Sequence, residues 1–376
     1  MKLFRTLAAP AAALALSFSA LAPVAGAAQL APATVRGEAP AGTATLLTEP
    51  LTAGGTEKWR ALADQSDRVI AYTVSSPSMG RDIPVAVIPA TDDTGTRLDN
   101  APTLYLLNGA GGAEQNNDWL TLNQSEGEHQ GTIDFYSGKG VNVVIPMAGA
   151  FSYYLDWQED PQGSYLQGPQ KWETFLTKEL PGPIEEALNA NNDRGIIGFS
   201  MSASSALLMA EHNPGFYDAA GAFSGCFAMA DPVAHFGHSL TVERGGGTMQ
   251  QMVGPPGSPA SHHNDALLQA GHLAGTELYI SNASGLAGDT DLMGYHLAQG
   301  ADQLTALANA AVLQVEGGII EGFTNKCTHD LKAKLDSEGI PATYNFRTTG
   351  THSWPNWRLD IIESWPTFER AFFGAE

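Results

Sequence analysis

The stretch Gly198-Phe199-Ser200-Met201-Ser202-Ala203 constrains the chain most. Before it, DRGIIGF (193–199) ends in a short apolar run with the length and type of a buried strand. After it, MSASSALLMAEHN (201–213) is rich in Ala, Leu and Met, and Asn213-Pro214-Gly215 stops it as a helix. A strand running into a helix with serine at the corner holds that serine at the tip of a sharp turn, its hydroxyl above the sheet edge. Strand and helix backbones approach closely there, so small residues must flank the serine. Gly198 meets that need two residues before, and Ser202 two after, where a second glycine is more usual. Such a corner belongs to an α/β chain, and its chemistry needs a base, an acid and an oxyanion hole from elsewhere.

The rest of the chain alternates as the corner requires. RVIAYTVSSP (68–77) and RDIPVAVIPA (81–90) read as strands joined by the turn Ser78-Met79-Gly80. APTLYLLNG (101–109), GVNVVIPMAG (140–149), AAGAFSG (219–225), TELYISNA (276–283) and ATYNFRTTG (342–350) read as further strands. Helices are expected over 170–188, interrupted near Pro181 and Pro183, and over 294–313, 325–339 and 357–373. Residues 230–275, rich in Gly, Pro and His, read as a loop or short helices over the site. The pattern implies a mostly parallel sheet covered by helices on both faces.

The N-terminus reads as an export signal. Met1-Lys2-Leu3-Phe4-Arg5 is basic, an Ala/Leu stretch follows, and Ala25-Gly26-Ala27 fits a small-x-small cleavage site. Pro10 and Pro23 disfavour a membrane anchor, so no membrane span is expected in the mature chain. The expected organisation is a signal peptide over 1–27, a flexible leader over 28–60, and one catalytic domain over 61–376. With 40 acidic against 19 basic residues the charge is −21, which argues against nucleic acid and against anionic lipid. Cys226 and Cys327 are an even pair in an exported chain and are expected to form a disulfide. Neither has metal-ligand spacing, and no metal is expected.

Acyl transfer by serine needs a base within hydrogen-bond reach and an acid to orient it. In doubly wound hydrolases the order along the chain is serine, acid, histidine. Of ten histidines, His352 alone follows the last expected strand, where that order puts the base. The acid is less determined. Asp289 and Asp291 follow the strand 276–283, with Glu316 and Glu321 further on. Asp289 comes first, on a glycine-flanked loop, and is the choice on position. For the oxyanion hole, the N–H of Met201 should pair with that of Ala110 in Asn108-Gly109-Ala110-Gly111.

Together GFSMSASSAL, QKWETFLTKELP, SSPSMGRDIPV, YLLNG followed by NNDW, and GTHSWPNW resemble the mycolyltransferases of mycolic-acid-bearing actinobacteria. These are the antigen 85 proteins and their corynebacterial-type relatives, and the likeness runs from about 70 to 370 in the same order. The resemblance implies an α/β-hydrolase fold, no cofactor, and transfer of mycoloyl groups between trehalose monomycolates or onto cell-wall arabinogalactan. Carried over by motif, Ser200 matches the nucleophile, His352 the base, Met201 and Ala110 the oxyanion-hole amides, and Trp354 the tryptophan walling the sugar site. The family's Asp-Gly-x-Arg loop here reads Asn108-Gly109-Ala110-Gly111, so sugar contacts by Asn108 and Gly111 must differ. A glutamate expected soon after the strand-end Asn282 does not align. Residues 226–260 and the helix 294–313 are the expected walls of an acyl groove. The expected place is the cell envelope or outside it. Two rivals remain: a secreted carboxylesterase using water as acceptor, and a non-catalytic wall- or matrix-binding protein on the same scaffold.

Overall fold

The apolar runs become the strands of one nine-stranded sheet. A computed structural model describes residues 44–47, 57–124 and 130–374, all within one unit spanning Arg36–Glu376. The expected signal peptide and most of the expected leader lie outside the described residues. The strands are β1 (Ala44–Leu46), β2 (Ile70–Ser76), β3 (Arg81–Ile88), β4 (Thr103–Leu106), β5 (Asn142–Pro146), β6 (Arg194–Phe199), β7 (Ala219–Phe223), β8 (Glu277–Asn282) and β9 (Thr343–Phe346). Their spatial order is β1-β2-β3-β5-β4-β6-β7-β8-β9. Pairings from β1 through β5 are antiparallel, and those from β5 through β9 are parallel.

Side-chain alternation sends neighbouring residues of each strand to opposite cores. Tyr105, Val144, Ile196 and Ile280 join one cluster, while Leu104, Leu106, Val143, Ile145 and Ile197 join the other. Both faces must therefore be covered. On the first lies α1 (Met201–His212), which is buried almost all round because nearly every residue in it is small or apolar. The second is covered by a C-terminal helix through Trp357, Ile361, Trp365 and Phe368. Between them come α2 (Pro232–Arg244), α3 (Met293–Ala298), α4 (Gln303–Val312) and α5 (Gly318–Glu338), and the C-terminal helix is α6 (Trp354–Phe373). A buried ion pair, Arg194 to Glu185 at 2.6 Å, ties the start of β6 to the helix Pro181–Leu188, and the Tyr105 hydroxyl donates to the same carboxylate.

Three expectations change, and one open reading is resolved. Within the stretch read as a leader, Ala44–Leu46 pairs antiparallel with β2 as an edge strand. The helix over 172–188 is interrupted by a π turn, Phe175–Glu179, and Pro181 starts the segment after it, where a missing N–H costs nothing. Of the two readings of residues 230–275, the short helices are what forms, and the first of them, α2, is capped by the Asp231 carboxylate on the N–H groups of Val233 and Ala234. Finally, α5 begins at Gly318 instead of residue 325, and this moves an acid into the site described below.

Cys226, just after β7, is bonded to Cys327 on α5 across a sequence separation of 101. The bond closes a long loop of the unfolded chain, where cross-linking removes the most entropy. Replacing both cysteines with alanine is expected to lower stability by about 2–4 kcal/mol, read as a drop in Tm without reductant. Thiol titration of the denatured, unreduced protein should find none.

Candidate active site

The site is built at the carboxyl ends of adjacent parallel strands. β6 ends at Phe199 and α1 starts at Met201, which leaves Ser200 alone to make the turn. Its φ of 55° and ψ of −119° lie in a region that ordinary residues avoid. The turn leaves no room beneath it: a Cβ on Gly198 would sit 2.0 Å from the carbonyl oxygen of Ser202. Ser202 replaces the usual second glycine without cost. Its hydroxyl is buried, accepts from Phe199 N–H at 3.0 Å and reaches the Leu107 carbonyl at 3.3 Å. Ser200 N–H donates to the Phe223 carbonyl at 2.8 Å, fixing the corner to β7.

His352 follows β9, and its Nε2 accepts from the Ser200 hydroxyl at 2.7 Å. Its Nδ1 lies 2.7 Å from Glu321 Oε2. A carboxylate only accepts, so the proton belongs on Nδ1 and Nε2 is free to take the serine proton. Trp357 stands edge-on to the imidazole at 4.9 Å and donates its indole N–H to Ser224. The other oxygen of Glu321 accepts from Ala283 N–H at 2.7 Å, Ser224 Oγ at 2.8 Å and Asn282 Nδ2 at 2.9 Å. Thr328 orients Asn282 by donating to its Oδ1 at 2.9 Å. The carboxylate is completely buried and both of its oxygens are bonded.

Asp289, the acid chosen on position, does not occupy that place. It is exposed at the start of the turn Asp289–Asp291, and Glu321 has taken Nδ1. Glu316 is also exposed, in the π turn Leu313–Gly317. Asp291 is buried and serves the histidine loop instead. It accepts from Thr351 N–H at 3.1 Å, Thr351 Oγ at 2.7 Å and Ser353 Oγ at 3.4 Å, so it holds both neighbours of His352. Glu321 lies 39 residues beyond Asn282, too far for a rule that looks in the first loop after the strand. A signal was present nonetheless: an acid inside the apolar run Gly317–Phe323 is costly to bury unless it is used.

The loop after β4 lies against the elbow. A Cβ on Gly109 would fall 2.7 Å from the Phe199 ring, and the Ala110 carbonyl accepts from Phe151 N–H at 2.8 Å. Phe199 is the last residue of β6, just before Ser200. Asn108 corrects an expectation. Its side chain is fully buried, donating to the Pro146 carbonyl and accepting from Trp119 N–H, so it does not face a substrate. Gly111 is buried beneath Gln115 and Asn117. Trp354 packs on Trp119, Phe199 and Trp357 and gives its indole N–H to Asn117 at 2.7 Å. Among the described residues, no group of three or more His, Cys, Asp or Glu is placed to hold a metal, and no helix is long and apolar enough to cross a membrane.

A strained serine at a strand–helix corner, a histidine on its hydroxyl and a buried acid on that histidine stand together at the strand ends of an α/β-hydrolase fold. The family model described as "Putative esterase" matches residues 76–368. The chain is 31% identical over 326 residues to diacylglycerol acyltransferase/mycolyltransferase Ag85A of Mycobacterium tuberculosis (strain ATCC 25618 / H37Rv), covering 85% of this chain and 86% of that protein. It is 28% identical over 325 residues to the Ag85B protein of Mycobacterium intracellulare, covering 85% and 88%. In fold it is similar to the crystal structure of Mycobacterium tuberculosis MPT51 (FbpC1), with a TM-score of 0.62 and 21% identity over 80% of this chain and 97% of that one. The chain belongs to the antigen 85-type mycolyltransferase family, and it is an acyltransferase.

Two substitutions separate the acids. Glu321→Gln can keep its three other donors on the carbonyl oxygen, which turns an NH2 toward Nδ1 and drives the imidazole proton onto Nε2. Acylation is expected to fall by about four orders of magnitude with the fold intact, while Asp289→Asn stays at the wild-type rate; stopped-flow acylation of both variants is the check. Asp291→Ala strips a buried acceptor from Thr351 and is expected to cost about 1–3 kcal/mol in chemical denaturation, with far less loss of rate than Glu321→Gln.

Proposed function

We propose that this chain is an exported enzyme that moves mycoloyl groups from trehalose monomycolate to a second trehalose monomycolate or to cell-wall arabinogalactan. What carries the reading is the line Ser200–His352–Glu321 in a chain 31% identical to Ag85A over most of both lengths. Ser200 Oγ attacks the ester carbonyl as its proton passes to His352 Nε2. The bond from the acyl carbon to the sugar oxygen breaks, and His352 returns the proton to the departing trehalose. An acceptor hydroxyl then gives its proton to Nε2 and attacks mycoloyl-Ser200, which restores the serine.

Glu321 keeps the imidazole in the receptive tautomer and stabilises the imidazolium at each stage. The N–H groups of Ala110 and Met201 receive the oxyanion, each contributing about 3 kcal/mol to the transition state. Trp354 offers ring faces to the sugar, because its N–H is committed to Asn117. With Asn108 turned inward and no arginine in its loop, the sugar is held by other groups than in the Asp-Gly-x-Arg pattern. Water and a sugar hydroxyl are chemically equivalent attackers here, so the products separate transferase from carboxylesterase.

With a synthetic trehalose monoester as sole substrate, the expected products are trehalose and the diester, resolved by mass spectrometry. Free acid and trehalose without diester would identify an esterase. Ser200→Ala is expected to lose at least about a hundredfold of the activity and all labelling by a fluorophosphonate probe. Retention of either would remove Ser200 from its role.

A further inference from the structure

Bulky residues avoid a positive φ, yet the buried turn 149–154 after β5 holds three of them there: Phe151 at 63°, Tyr153 at 56° and Tyr154 at 50°. Such strain persists only where bonds over-determine it, and it gathers at functional sites. The bonds here are many. Glu114 Oε1 accepts from the N–H groups of Gly149 at 2.7 Å and Ala150 at 3.1 Å. Ser152 Oγ donates to the Gly149 carbonyl at 2.7 Å, and Trp157 gives its indole N–H to the Ser152 carbonyl at 2.9 Å. Ser205 on α1 donates its hydroxyl to the Tyr153 carbonyl, and the Tyr153 hydroxyl meets His238 Nδ1 on α2 at 3.0 Å.

The turn touches both residues whose amides are assigned to the oxyanion. Phe151 N–H donates to the Ala110 carbonyl at 2.8 Å, and Tyr153 N–H to Met201 Sδ at 3.4 Å. The anchors repeat that pairing. Glu114 lies four residues after Ala110 in the segment that follows β4, and Ser205 four after Met201, one turn along α1. Each half of the turn is therefore tied twice to one element. Ala110 itself sits between Gly109 and Gly111, in a backbone with little stiffness of its own. Amides that stabilise a developing charge must be in place before it forms. Two amides on separate elements keep their spacing only if something holds those elements together.

We propose that the turn 149–154 sets the spacing of the Ala110 and Met201 amides, with Glu114 and Ser205 as positioning residues for acyl transfer. The inference rests on the reading of those two amides as the oxyanion hole. In this role neither Glu114 nor Ser205 touches substrate. Glu114 fixes the entry of the turn against the segment after β4, and Ser205 fixes its exit against α1. Loss of either anchor lets the turn relax toward ordinary φ, and the Phe151 and Tyr153 bonds to the two elements go with it.

The test compares cleavage of p-nitrophenyl butyrate with that of its thiono ester, in which sulfur, a weak acceptor, takes the place of the carbonyl oxygen. Glu114→Ala and Ser205→Ala are each expected to lower kcat/KM for the oxygen ester about a hundredfold. The preference for oxygen over sulfur should shrink with it. The pH midpoint of the rate, set by His352, should stay where it is, because the triad keeps its bonds. Glu114→Gln still offers an oxygen to Gly149 and Ala150 and should restore most of the rate. Glu114 is exposed, so Glu114→Ala keeps the fold and decides the matter even where Ser205→Ala does not fold. A wild-type rate in Glu114→Ala overturns the proposal, as does a Glu114→Gln no better than Glu114→Ala. A wild type that treats the two esters alike removes the oxyanion reading and the proposal with it. A wild type that prefers the oxygen ester, by a factor the variants keep, overturns the proposal and leaves the oxyanion reading standing.

Discussion

Glu321 is a charge in the interior, and the site depends on how that charge is satisfied. A buried carboxylate is costly unless its lone pairs are used. Here one oxygen gathers Ser224, Asn282 and Ala283 from the ends of β7 and β8, and the other holds His352 beyond β9. One side chain on α5 thereby draws together three loops that share no sequence proximity. The disulfide fastens that helix to the segment after β7, one turn beyond the acid and more. Fixing the acid fixes the imidazole, because Nδ1 has a single strong acceptor.

The serine side of the site is held by packing instead of charge. The elbow forces Ser200 into a strained backbone conformation, and a strain of this kind persists only where the surroundings over-determine it. Three features do so: the contact under Gly198, the buried hydroxyl of Ser202 and the bond from Ser200 N–H to β7. The β4 loop leans on Phe199 from the other side, through Gly109. Ser200 and the loop carrying Ala110 thus follow the same two parallel strands, β6 and β4, which are neighbours in the sheet.

Most of the apolar surface of the chain goes into two cores on opposite faces of the sheet. The exception is the stretch from Leu286 to Ile320, none of whose residues joins either core. That stretch also delivers the acid. Its length explains why the acid falls so late in the chain.

The sequence by itself determined the elements that local pattern controls. Eight strands, the elbow at Ser200 and the histidine after the last parallel strand were legible because alternation and chain order are properties of neighbouring residues. The even cysteine pair was legible for the same kind of reason, since its count needs no geometry. Which acid meets His352 was not. Asp289, Asp291, Glu316 and Glu321 are equivalent as residue types, and all lie between β8 and β9. The choice was made by a helix that starts seven residues earlier than its periodicity suggests, at Gly318, and rotates Glu321 inward while Glu316 stays in solvent. Asn108 shows the converse, a residue of suitable type turned inward to serve Trp119 and Pro146. Direction of a side chain relative to a distant strand is a tertiary property, because it depends on how a whole helix docks.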